Sequence, residues 1–126
     1  MDIVRLLAGR QYRLFAVVQN GSVQVRDFID SIEEQEQAHF FALFDRIIEY
    51  GPPKNTKKFR HIGDKVYELK TNGGSRILCF FGTNFLKNSL ILTRGFPKPK
   101  PTQLRREKQK TLKILNDSKN LRIIKI

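Results

Sequence analysis

The sequence predicts an α+β domain, an antiparallel sheet packed against a helical hairpin and a C-terminal helix, and three observations carry that reading. KVYELK (Lys65–Lys70), RILCFF (Arg76–Phe81) and SLILTRGF (Ser89–Phe96) are short segments rich in β-branched and aromatic residues, joined by hairpin-length connectors. Two apolar stripes at helical spacing precede them between Val25 and Ile48. A basic segment with a thin apolar stripe follows them. Helices grouped before a run of antiparallel strands give a layered α+β domain in the order β–α–α–β–β–β–α.

QYRLFAVVQN (Gln11–Asn20) reads as the first strand, with apolar groups on both faces. Residues 1–10 are open between a strand extension and a loose arm. Asn20-Gly21-Ser22 is turn chemistry, and Ser22 is placed to cap the next helix. Val25, Phe28, Ile29 and Ile32 recur at i, i+3, i+4 and i+7, while Phe40, Phe41, Leu43, Phe44, Ile47 and Ile48 form a second stripe. At roughly 100° per residue the stripes are offset by about a quarter turn, so one straight helix cannot bury both. A break near Ser31–Gln35 is expected. Gly51 and Pro52-Pro53 stop the second helix.

Lys54, Lys57, Lys58, Arg60 and His61 then fall in a loop before the first meander strand. TNGGS and GTNFLKN join the three strands. Ile77–Phe81 is apolar at every position, so both faces of the middle strand should be covered. The prolines of PKPKP hold Pro97–Pro101 extended. Thr102 is placed to cap a helix from Gln103 to about Leu115. Residues 1–116 read as one domain. Residues 117–126 read as a tail, either a short strand or disordered.

The formal net charge of +12 is unevenly spread. Asp27–Tyr50 carries seven acids and one base, and Phe96–Ile126 carries ten bases and two acids. That asymmetry suits a nucleic-acid surface with an acidic flank. The C-terminal helix lacks the aromatic anchors of a membrane-surface helix. A single cysteine, Cys79, excludes an intrachain disulfide and a CxxC metal knuckle. It lies in the apolar middle strand, where it acts as a small hydrophobe. The N-terminal apolar run is too short for a signal peptide, and no stretch is long enough to span a bilayer, so the cytoplasm is expected.

The ordered segments VRDFIDSI (Val25–Ile32), EYGPP (Glu49–Pro53), FRHIGDKVYELK (Phe59–Lys70), SRILCFF (Ser75–Phe81) and LTRGFPKPKPT (Leu92–Thr102) resemble the RelE/ParE toxin superfamily, in its HigB-like, phage-derived branch. The resemblance covers roughly residues 11 to 115. It implies a toxin of a type II toxin–antitoxin pair, partnered by an antitoxin, expected to be a helix-turn-helix protein. Such toxins commonly cut messenger RNA on the ribosome without a metal or other cofactor; the ParE branch instead poisons DNA gyrase. A non-catalytic basic nucleic-acid-binding module is a further alternative. By resemblance, Arg76 matches the arginine that opens the middle strand and contacts the scissile phosphate. Lys98 and Lys100 match the lysines after Gly-Phe, although Pro99 separates them here. Arg94 stands where a neutral or imidazole side chain is expected.

Cleavage of RNA by its own 2′-OH needs a base for that hydroxyl, cations for the charge on phosphorus and an acid for the 5′-oxygen. Arg76 can hold two phosphate oxygens. Lys70, opposite it in a cation-rich hairpin, and Lys98 are candidates for proton transfer or plain phosphate attraction. His61 can carry a proton near neutral pH. These four are the expected catalytic set. Lys57, Lys58, Arg60, Arg94, Lys100, Arg105 and Arg106 are expected to bind nucleic acid. Tyr67 is expected either to stack on a base or to pack in the core. Asp64 and Glu68 read as partners of neighbouring bases. His39 reads as part of a helix face. No Asp/Glu/His cluster with metal-ligand spacing appears in the basic half.

Overall fold

The computed structural model describes residues 1–125. The chain runs β1 (Asp2–Ala8), β2 (Arg13–Val18), α1 (Gln24–Ser31), α2 (Glu34–Tyr50), β3 (Phe59–Gly63), β4 (Val66–Lys70), β5 (Arg76–Phe81), β6 (Ser89–Phe96), α3 (Pro101–Asn116) and β7 (Arg122–Ile124). The α+β class is as the sequence predicts. One seven-stranded sheet has the order β3-β4-β5-β6-β2-β1-β7. The meander β4-β5-β6 is antiparallel, as its short connectors require, but β2 pairs β6 in parallel and β1 pairs β7 in parallel. The sheet is therefore mixed.

Helices cover both faces. Val25, Phe28 and Ile29 of α1 and Phe40, Leu43, Phe44, Ile47 and Ile48 of α2 pack on Leu14, Ala16, Leu69, Ile77, Cys79, Leu90 and Leu92. On the opposite face Ile114 of α3 meets Ile3, Phe15, Val17, Phe80 and Ile91, while Leu104 and Leu112 lie against Val66, Leu78 and Phe96. The middle strand β5 thus sends Ile77 and Cys79 to one layer and Leu78 and Phe80 to the other, which explains its unbroken apolar run. The two helical stripes are served by a real break: α1 ends at Ser31 and α2 starts at Glu34.

Several local expectations are corrected. Ser22 does not cap α1. It pairs with Gln19 through two backbone hydrogen bonds of 2.9 and 3.0 Å, and extended Val23 occupies the cap position without a side-chain bond. Thr102 does not cap α3, because the helix starts two residues earlier than expected, at Pro101, whose fixed φ suits a first helical position. Arg60 and His61 are not in a loop; they belong to edge strand β3. Residues 2–8 form β1, pairing Asp2 with Val18 through Ala8 with Arg13. In the segment read as a tail, Leu121 packs beside Ile3 and Ile114, and Arg122–Ile124 extends the sheet as β7. Ile126, the end of that tail, lies outside the described residues.

Two close approaches fix how α1 sits on β6. A Cβ on Gly95 would lie 2.2 Å from Phe28 Cδ2. The Gln24 side-chain amide both donates to the Gly95 carbonyl and accepts from its N–H, each at 2.7 Å. Only glycine lets the Phe28 ring and this two-way bond share one position. Across the sheet a register shift at Leu78/Cys79 leaves Thr93 without a cross-strand partner. Its hydroxyl bonds the Leu78 carbonyl and Thr111 of α3, each at 2.9 Å.

Candidate functional site

The β4–β5 turn, Thr71 to Ser75, is the point where the expected site residues converge. Thr71 and Ser75 close it: the Thr71 N–H donates to the Ser75 carbonyl at 3.0 Å, and Thr71 Oγ1 accepts the Ser75 N–H at 3.0 Å. Gly74 sits at φ +91°, where its missing side chain is needed. The turn is clamped from two sides. On one, Glu36 of α2 accepts hydroxyl bonds from Thr71 at 2.6 Å and Ser75 at 2.9 Å, and a Cβ on Gly73 would fall 2.5 Å from its Oε1. On the other, Lys98 lies over Gly74, whose Cβ would be 3.0 Å from the lysine stem. Burial alone would raise the Glu36 carboxyl, but the Thr71 and Ser75 hydroxyls and the His39 imidazole outweigh it and hold the group below its ordinary value.

Arg76 opens β5 directly opposite Lys70. Its Nε donates to the Gly74 carbonyl at 3.1 Å and its Nη1 to Glu68 Oε2 at 2.8 Å. The second Glu68 oxygen, Oε1, is 2.8 Å from Arg60 Nη2. Glu68 is only 2% exposed, so its charge has to be met inside the protein, and each oxygen takes one arginine. The consequence falls on Arg76. Two bonds on separate nitrogens fix the plane of its guanidinium, its side chain is 11% exposed, and Nη2 has no hydrogen bond among the described residues. Arg60, Lys70, Arg76 and Lys98 thus gather about one turn, with one guanidinium held in place.

Other expected residues lie elsewhere. His61 is paired with Tyr67, their rings 4.8 Å apart, and Tyr67 stacks with Phe59 at 5.1 Å and meets Phe81 edge-on at 4.9 Å. Phe59, Tyr67 and Phe81 pack at the border of the α1/α2 core. Alternation along β3 and β4 puts His61 and Tyr67 on the face opposite Arg60 and Glu68, so His61 is not brought to Arg76. Arg94 is engaged by Glu107 of α3 at 2.5 Å, and Lys110 approaches the other oxygen at 3.5 Å. Lys57, Lys58, Lys100, Arg105 and Arg106 are exposed. Burial, with the Glu68 carboxylate adding to it, pushes the Cys79 thiol up, which removes it as a nucleophile. No group of three or more His, Cys, Asp or Glu able to hold a metal occurs among the described residues. No helix among them is long and apolar enough to cross a membrane.

Sequence reasoning did not find the clamp made by Glu36 or the Glu107 partner of Arg94. Both contacts are non-local, spanning 35 and 13 residues, and neither leaves a local pattern. Glu68 was readable as a cross-strand partner, but not that it is buried and shared between two arginines.

Residues 27–119, nearly three quarters of the chain, match the profile of the family described as Phage derived protein Gp49-like (DUF891). The chain belongs to that family. Gp49-like proteins are a RelE/HigB-like toxin family of type II toxin–antitoxin systems, which implies an antitoxin partner for this Gp49-like chain. Neither the curated proteins nor the solved structures contain a match to it. The matched span starts within α1 and ends after α3, so it includes the whole β4–β5 turn and its cations.

Proposed function

We propose that this Gp49-like protein is a ribosome-dependent mRNA endonuclease that works without a metal in the cytoplasm and is neutralised by a helix-turn-helix antitoxin. One observation carries the proposal: Arg76, held by Glu68 and the Gly74 carbonyl, keeps a free edge among Lys70, Lys98 and Arg60. A fixed donor facing a site of growing negative charge is the arrangement that favours a transition state over a bound substrate.

In the reaction, the 2′-oxygen attacks the adjacent phosphorus as its proton leaves to a base. The P–O5′ bond breaks and the 5′-oxygen takes up a proton, giving a 2′,3′-cyclic phosphate and a 5′-hydroxyl. Arg76 would hold a non-bridging oxygen as charge develops there. Lys98 and Lys70 flank the same phosphate and are the groups placed to exchange protons with the two reacting oxygens. His61 and Tyr67, side by side on the other face, fit a platform for a nucleobase better than a proton carrier beside Arg76. Lys57, Lys58, Lys100, Arg105 and Arg106 supply long-range attraction for the RNA or the ribosome.

The test is brief induction of the wild-type protein in bacteria with primer extension on cellular mRNA and gel analysis of plasmid supercoiling. The expected result is growth arrest with discrete mRNA cuts and normal supercoiling. Trapped gyrase–DNA complexes with intact mRNA would replace the proposal by gyrase inhibition. Arrest with neither would leave a non-catalytic binding module.

A further inference from the structure

Acidic charge in this basic chain is concentrated on α1, α2 and the turn between them. Asp27, Asp30, Glu33, Glu34, Asp45 and Glu49 are exposed there and make no salt bridge among the described residues. Lys and Arg outnumber Asp and Glu 24 to 12, yet these carboxylates are left without a partner.

A groove of about 380 Å³ lies where the same two helices meet β1. Val25 and Ile29 of α1, Phe41 and Phe44 of α2, and Leu6 and Leu7 of β1 give it an apolar lining. Val25, Ile29 and Phe44 are buried core residues, whereas Leu7 is 37% and Phe41 50% exposed. Only five large apolar side chains are left exposed among the described residues, and two of them share this groove. The Phe41 ring leans edge-on against Phe44, with centroids 6.5 Å apart, so the core supports it. Asp30, Asp45 and Arg26 also line the groove, two carboxylates to one guanidinium.

An apolar groove beside unpaired carboxylates selects its occupant by charge. RNA is repelled there. A second copy related by a two-fold axis would set the same carboxylates against each other, because such an interface is self-complementary. Strand addition is disfavoured as well. Among the described residues β7 pairs with β1 only as far as Val4, but the register shift between Arg5 and Leu7 breaks the ladder beyond it. What fits is a helix that inserts apolar side chains at i, i+3 or i+4 and i+7 and carries Lys or Arg beside them.

We propose that the α1/α2/β1 groove is the docking site for a basic amphipathic helix of the antitoxin. The inference rests on the toxin–antitoxin reading for its partner and not on the nuclease reading. The groove and the cation site are on opposite faces of the sheet. Ile77 and Cys79 point into the α1/α2 layer, so alternation sends Arg76 to the other side. Changes in the groove therefore act on the partner and leave RNA contacts alone.

The experiment uses the full chain and, as probe, the purified product of the open reading frame adjacent to its gene. Affinity is read by calorimetry, association rate by stopped flow and folding by thermal unfolding. Phe41→Ala should weaken binding by roughly thirty-fold, the size of an interface hot spot. Asp30→Asn with Asp45→Asn should slow association about tenfold at low salt and converge with wild type at high salt. Should Phe41→Ala fail to fold, this exposed pair carries the test. Phe85→Ala, at a residue 63% exposed outside the groove, should bind as wild type does. Every variant should keep wild-type affinity for a short 2′-O-methyl oligoribonucleotide. Wild-type affinity and association rate in both groove variants, or an equal loss in Phe85→Ala, would overturn the proposal while leaving the toxin–antitoxin reading in place. So would a dimer of the chain alone that Phe41→Ala dissolves, which would give the groove to a second copy. A wild-type chain that does not bind the adjacent product would reject the proposal and the toxin–antitoxin reading together.

Discussion

Arg76 and Arg106 carry the same charge and differ in almost everything else. Arg106 stands exposed in the second turn of α3, without an ion pair among the described residues. Its long side chain is mobile, and holding it against a phosphate costs about 2 kcal/mol of rotamer entropy. Arg76 is nearly buried and tied to Glu68 and the Gly74 carbonyl, so most of that freedom was lost on folding. The free cation attracts RNA from a distance and is screened by salt. The held cation presents a donor at one position whether RNA is present or not. Net charge counts the two equally; partner and burial separate them.

The largest effect should come from removing the group that separates them. Glu68→Ala leaves the nearly buried Arg76 with no counter-charge. It should lower unfolding free energy by roughly 3 kcal/mol, because breaking a buried pair strands a charge, with Arg60 relieved by its exposure. Denaturant unfolding checks this, and a loss no larger than that of an exposed carboxylate such as Asp64→Ala would show that Arg76 needs no holder.

Glu36 sharpens the comparison from the other side of the turn. Its folded carboxyl titrates below the ordinary 4.5, so its stabilisation is present above that value and fades as pH falls through the lower folded one. Glu36→Gln should cost about 1 kcal/mol at neutral pH. The gap between wild type and variant should close as pH falls below 4.5 and through the lower folded value. A gap that persists in acid would mean that the hydroxyl bonds to Glu36 do not depend on its charge.

Smallest is the effect of the free cations. Arg105→Gln or Arg106→Gln should leave stability within about 0.5 kcal/mol of wild type. Each should weaken RNA binding modestly, with low salt restoring most of it.

How much of this could be read in the sequence follows the range of each interaction. The strands β4, β5 and β6 were legible almost to the residue, because a hairpin writes its strands and its turn into neighbouring positions. Edge strand β3 is not legible as a strand, since Arg60 and His61 interrupt its apolar pattern. The parallel pairing of β2 with β6 joins segments some 75 residues apart, such as Leu14 with Leu90, and leaves no local trace. In the site, Arg76 was marked by its place at the start of the middle strand. What holds it was not, because the burial of Glu68 depends on α3 covering that face.

The most direct measurement is single-turnover mRNA cleavage on programmed ribosomes for Arg76→Ala, Arg76→Lys and Arg106→Gln, with ribosome binding and folded fraction measured in parallel. A donor that acts on the transition state is worth roughly 2–4 kcal/mol. Arg76→Ala should therefore lose about a hundred-fold or more in rate at saturating ribosome, with binding little changed. Arg76→Lys should be impaired as well, because it keeps the charge and loses the planar fork. Arg106→Gln should cleave at the wild-type rate once bound. If Arg76→Ala, still folded, loses no more rate than Arg106→Gln, or if low salt restores both alike, Arg76 is one more diffuse cation and the account of the site is wrong.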